Sequence, residues 1–119
     1  MDLTTEALRL GISMSRVRAE VASVNIANAN VPGASIRGVD FSQAVGLLHQ
    51  AEIDPDMDVG RLRDVTSRSL SATVHPLGGD TNLDGEVADM EAAGADFQAL
   101  TTVMSRRFAL MQLAMAGRD

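Results

Sequence analysis

The residues whose types and spacing come nearest to chemistry are Asp80, Asn82, Asp84, Gly85, Val87 and Glu91. They fit an EF-hand loop over residues 80–91, in which oxygen ligands alternate, a glycine allows the sharp turn, and a final glutamate closes a calcium shell. The flanks argue for a different reading. An EF-hand needs an entering helix, and His75-Pro76-Leu77-Gly78-Gly79 has the composition of a loop. A helical apolar pattern also reaches back to Leu83, which strings the ligands along a helix instead of curling them around an ion. On that reading Thr81 or Asn82 caps the helix, and Asp84, Glu86, Asp89 and Glu91 sit in its first turns, where the helix dipole favours negative charge. No metal site is expected, and a calcium-binding module at 80–91 is kept as an alternative. The run Asp54, Asp56, Asp58 fails sooner, with Val59 where the glycine belongs and Val65 where the glutamate belongs.

No other constellation suggests catalysis. His49 and His75 are isolated, and there is no phosphate-binding glycine loop, nucleophile elbow or paired-histidine motif. With no cysteine, thiolate metal sites, thiol nucleophiles and disulfides are excluded. No catalytic residue and no cofactor are expected. A net charge of -6 argues against nucleic acid, because phosphate binding needs clustered basic groups. No apolar run is long enough for direct membrane insertion, and the start Met-Asp-Leu-Thr-Thr-Glu lacks the basic and apolar regions of a cleaved signal peptide. The chain is therefore expected to be cytoplasmic, or exported by a route that reads another signal.

The elements that would position any site are two long helices. Residues Leu83, Val87, Met90, Gly94, Phe97, Thr101, Met104, Phe108, Met111 and Met115 follow steps of four and three, the pattern of a coiled-coil seam. Leu100, Val103, Leu110 and Ala114 flank that seam, so the stripe is broader than one partner needs. Near the N-terminus the same steps give Leu3, Ala7, Leu10, Met14, Val17, Val21 and Val24, flanked by Leu8, Ile12, Ala19, Ala22 and Ile26. Asp2 or Thr4 supplies a cap, and Pro32-Gly33 stops the helix, which is expected over 3–29. The chain divides into an N-terminal coiled-coil helix at 1–30, a middle segment at 31–80 and a C-terminal coiled-coil helix at 81–119. The middle holds all three prolines. It is expected to be irregular and partly disordered, with a short helix near 41–50 behind an Asp40–Gln43 capping box and a weak strand signal at Leu70, Ala72 and Val74. The fold class is mainly α, with the terminal helices paired as an antiparallel coiled coil.

The stretch Asn25, Ile26, Ala27, Asn28, Ala29, Asn30, Val31, Pro32 and Gly33 resembles the N-terminal motif of the bacterial flagellar rod, hook and hook-filament-junction proteins, in which a long helix ends in such a turn. Gly38-Val39-Asp40-Phe41 and the run from Phe97 to Met111 are similar to the proximal rod members of that family. Asn82 to Val87 aligns without a gap to the start of the family's C-terminal helix. Ala34 replaces the family's usual aromatic, Phe97 stands where tyrosine is common, and the middle segment is short. The resemblance implies a structural subunit of the basal-body rod, not an enzyme, which is exported unfolded through the flagellar export apparatus to the periplasm and transmits torque by helix packing. It implies as partners other rod subunits, copies of the same chain, and membrane-ring and rod-adaptor proteins. Subunit contacts are expected at Leu8, Ile12, Ile26, Leu100, Val103 and Leu110. The free monomer is expected to have poorly ordered termini that fold on assembly. A cytoplasmic coiled-coil adaptor is the remaining alternative.

Overall fold

The structure, a computed structural model, describes residues 2–78 and 82–117. Helix α1 spans Leu3–Ala27 and begins where the Asp2 carboxylate accepts the Thr5 amide at 2.8 Å, the expected cap. It ends two residues earlier than the periodicity suggests. The Asn28 amide still reaches the Val24 carbonyl at 3.0 Å, after which the chain turns through Asn28–Val31 and Gly33, whose φ is +79°. Beyond this turn come β1 (Ile36–Gly38), α2 (Ser42–Ile53), α3 (Val59–Arg63), α4 (Ser67–Ser71), β2 (His75–Leu77) and α5 (Leu83–Ala116). The long terminal helices pack on each other along a molecule 64 Å in length and 24 by 21 Å across.

The described part of the middle is an irregular succession of short elements laid against α1. β1 and β2 pair antiparallel, with Ile36 opposite Leu77 and Gly38 opposite His75. The residues His75 to Leu77, expected as loop, thus form a strand. Pro76 is tolerated because a two-stranded ribbon consists only of edges. The alternation at Leu70, Ala72 and Val74 does not make a strand. Thr66 and Ser69 form a reciprocal cap, at 2.9 and 3.2 Å, that starts α4 and turns Leu70 inward. The Asp40–Gln43 box does not form either: Asp40 accepts the backbone amide and hydroxyl of Ser42 instead, at 3.0 and 2.7 Å.

The central core consists of Leu10, Val17, Ala44, Leu47, Met57, Leu62 and Leu70, with Leu3, Ala7, Met14 and Val21 packed against it. Five of its seven members come from the middle segment. The N-terminal seam is therefore real as an apolar stripe, but its centre, Leu10 and Val17, faces the middle, while Met14, Val21 and Val24 also line clefts against α5. Leu47, Met57, Leu62 and Leu70 supply large apolar side chains to the face of α1 that carries Leu10 and Val17. Polar groups lock this arrangement. Arg9 donates to the carbonyls of Leu62 and Val65 at 2.8 and 2.9 Å, tying α1 to the turn after α3, and to Glu6 at 2.8 Å. Glu6 is buried, with Arg63 3.8 Å from its other oxygen. The first turns of α1 are thus built into the interior.

Candidate functional site: the α1–α5 helix pair and its uncovered stripe

Helix α5 begins at the Asn82 cap, whose side chain accepts the Gly85 amide at 3.1 Å. A Cβ at Gly85 would stand 3.2 Å from the Asn82 carboxamide, so a glycine lets the cap close tightly. Asp84, Gly85, Val87 and Glu91 all lie on α5, which separates Asp84 and Glu91 by about 10 Å along its axis. They form no EF-hand loop. Asp80 and Thr81 lie outside the described residues. His75 binds the Thr73 carbonyl at 2.9 Å, and His49 sits 3.9 Å from Glu52 in α2. Among the described residues no three acidic or histidine side chains gather as a metal site, and no helix is long and apolar enough to cross a membrane.

The two long helices run antiparallel. Leu100 lies across Gly11, 3.1 Å from where a Cβ would stand, and Asp96 reaches Arg18 at 3.5 Å. Arg107 binds the Thr5 hydroxyl at 3.1 Å and also the Asp2 carboxylate. The Thr5 amide and hydroxyl, followed by Arg107, hold the Asp2 carboxyl down at about 2, from an ordinary value of 3.8. Ala93 is fully buried, and Ser15 and Ala22 are buried in the clefts beside the pair. The contact row on α5 is thus Ala93, Leu100 and Arg107, spaced by seven, against the small residues Gly11, Ser15 and Ala22 of α1.

This geometry moves the expected seam. On α5, Leu83, Met90, Phe97, Phe108 and Met111 are exposed, and Val87, Gly94 and Met104 are half-buried. On α1, Val24 is exposed as well. The core has already taken the large-residue stripe of α1, so α5 meets the neighbouring row of small residues and is turned accordingly. Leu100, expected on the outer face, is the inner contact. Leu8, Ile12 and Ile26 are half-buried, whereas Val103 and Leu110 are open to solvent at 49 % and 66 %.

The turn after α1 has a defined job. Asn25 is buried, and its carboxamide donates to the Arg37 carbonyl and accepts the Arg37 amide, both at 2.9 Å, tying β1 to the helix end. Asn28 closes the helix and accepts the Val31 amide at 3.1 Å, while the Ala29 amide reaches Ile26 at 3.2 Å. Ala27, Asn30, Pro32 and Gly33 are exposed at the tip. No protein-family model, curated protein or solved structure matches the chain.

Two features define the surface available to partners. A groove of about 820 Å³ runs between α1 and α5, lined by Ala19, Ser23 and Val24 on one side and Met90, Gly94 and Phe97 on the other. Beyond Arg107, the last turns of α5 carry Phe108, Leu110, Met111, Leu113 and Met115, exposed by between 41 % and 72 %. So much uncovered apolar surface on one helix marks an interaction site. Two signals in the sequence bear on this arrangement, although apolar periodicity passes over both: the small residues Gly11, Ser15 and Ala22, and the acid–base pair Glu6–Arg9.

Proposed function

We propose that the chain is a structural subunit of the bacterial flagellar basal-body rod, on its proximal part, assembled by packing of its long helices. The observation that carries this reading is the apolar stripe of α5. Only Ala93 on that helix is a buried hydrophobic, while Leu83, Met90, Phe97, Phe108, Leu110, Met111, Leu113 and Met115 remain exposed. A helix of this kind is stable when neighbours cover it. The reading is further supported by the Asn25–Gly33 stretch, whose resemblance to the rod and hook motif now has a physical content: it ends α1 and fastens the returning chain.

On this reading the subunit leaves the cytoplasm unfolded through the flagellar export apparatus and takes its place in the periplasm. It transmits torque by side-chain packing, with other rod subunits, further copies of itself, and membrane-ring and rod-adaptor proteins as neighbours. Tagged protein should co-purify with detergent-extracted hook–basal bodies in step with other rod components. Recovery only as a soluble cytoplasmic oligomer would instead support the coiled-coil adaptor and end the rod assignment. Leu110→Asp tests the same point within the chain, since Leu110 is exposed and its change leaves the internal contacts alone. Leu100→Asp is not equivalent, because Leu100 also holds α5 on Gly11.

A further inference from the structure

We propose that the methionine row of α5 is an oxidation site. Peroxide or hypochlorous acid converts Met90, Met111 and Met115 of the free subunit to sulfoxides and withdraws their strip from contact with neighbours, while the body stays folded. The chemistry stands on the exposure of these side chains alone; its effect on assembly rests on the rod-subunit reading.

The described methionines are Met14, Met57, Met90, Met104, Met111 and Met115, and the last four lie on α5. At about 100° per residue, those four project within about 60° of one another, and Phe97 and Phe108 share the same sector. Met90, Met111 and Met115 are 36 %, 44 % and 72 % exposed, whereas Met57 is 5 % exposed inside the core. Met14 packs against that core, and Met104 is half-buried. An oxidant in solution therefore reaches the strip before it reaches the body.

Outside its methionines the chain offers no competing target. It has no cysteine, tryptophan or tyrosine, so thioethers are its most readily oxidised side chains. With hydrogen peroxide the sulfur lone pair attacks one oxygen, the O–O bond breaks and an S–O bond forms. The proton left on the transferred oxygen passes to the departing hydroxide, which leaves as water. Sulfur is oxidised by two electrons and the peroxide is reduced. A sulfoxide reductase drawing on two thiols reverses the step, releasing water and leaving a disulfide. The product is a polar side chain in place of a flexible apolar one. In the free subunit water solvates it. Burying it against a neighbour costs its desolvation, three times over on one face of the helix.

Full-length protein treated with dilute hydrogen peroxide and mapped by mass spectrometry should gain one oxygen first at Met115, then at Met111 and Met90, and last at Met57. Its circular dichroism and thermal midpoint should hold at the untreated values until Met57 reacts, and denaturing urea should erase the order. Met57 reacting as fast as Met115 in the folded protein, or unfolding that begins with the first sulfoxides, would overturn the site. In cells, Met90→Gln/Met111→Gln/Met115→Gln imitates the oxidised strip, and the matching triple change to Leu keeps it apolar without sulfur. The Gln variant should keep the thermal midpoint and be lost from hook–basal bodies. The Leu variant should co-purify with them, and its newly made protein should still do so after a hypochlorous acid challenge that removes newly made wild type. A Gln variant that co-purifies like wild type, or equal responses of wild type and Leu variant to the challenge, would overturn the effect on assembly. Untreated wild type missing from the basal bodies would end the rod reading and that effect together, while the order of sulfoxide formation still decides the site.

Discussion

The carboxamide of Asn25 grips the backbone of Arg37 on both its hydrogen-bonding groups, at 2.9 Å each, and so joins the end of α1 to the first strand. Because one backbone group donates and the other accepts, only a side chain offering both functions in this spacing fits. Asn25→Ala should lower stability by about 1–3 kcal/mol, since it unpairs both backbone groups at a buried position. Asn25→Asp should cost more at neutral pH, because a carboxylate cannot donate to the carbonyl and brings a charge into the site. Thermal unfolding of the two variants checks this order; equal losses would show that the donated bond contributes nothing.

Gly11 and Leu100 predict a different kind of result. A methyl at Gly11 meets the end of Leu100 at 3.1 Å, a contact that a small side-chain shift relieves. Gly11→Ala also gains up to about 1 kcal/mol of helix propensity, so the net change should be near zero. Gly11→Val, which overfills the gap, should destabilise by about 1–3 kcal/mol. The loss should shrink when Leu100→Ala is added, and a double-mutant cycle measures that coupling.

The Asp2 carboxyl titrates at about 2 in the folded chain and near 3.8 when unfolded. Its contribution to stability is thus fully present above about pH 4 and is lost as the pH falls through about 2. Asp2→Asn keeps an oxygen to cap Thr5 and removes the charge facing Arg107. The stability difference between wild type and Asp2→Asn should be below about 1 kcal/mol at neutral pH, because the side chain is 53 % exposed. It should narrow from pH 4 to pH 2, and salt should reduce it at pH 7. A difference that does not vary with pH would separate the low pKa from any role in folding.

Limited trypsin digestion of the free monomer should cut first at Arg106 and last at Arg9. Arg106 is exposed on a helix with little buried surface, whereas Arg9 is held by Glu6 and two carbonyls. The early product should keep the whole core. Leu62→Ala should cost about 2–5 kcal/mol and open every site together. Leu113→Ala, at a position 69 % exposed, should change monomer stability by no more than about 0.5 kcal/mol.

Both terminal helices are legible in the sequence, because apolar spacing sustained over 25 and 34 residues admits no other regular structure. The Asp2 and Asn82 caps are legible too, since a short polar side chain before a periodic run has one favourable use. What periodicity does not carry is the identity of the partner. The stripe through Leu10 and Val17 announces a buried face, and nothing in it distinguishes α5 from the middle segment. Leu62 and Leu70 sit in five-residue helices, too short to show any period, yet they supply part of the core. The seam expected on α5 is mostly open surface. Glu6 and Arg9 lie outside the apolar seam, and an acid and a base three apart on a helix usually face solvent. Their burial depends on two carbonyls more than fifty residues away.

Every side chain of the core, and every apolar side chain packed against it, lies between Leu3 and Val74. A chain that emerges N-terminus first has therefore delivered its central cluster before the last helix arrives to bury Ala93 and cover Ser15 and Ala22. Helix α5 is then a latch laid over a finished body, closing through contacts such as Arg107–Thr5 that span 102 residues. The entropy of closing so long a loop grows only slowly with its length, so the timing of closure is set by when α5 appears. Until then the small-residue row of α1 stands open.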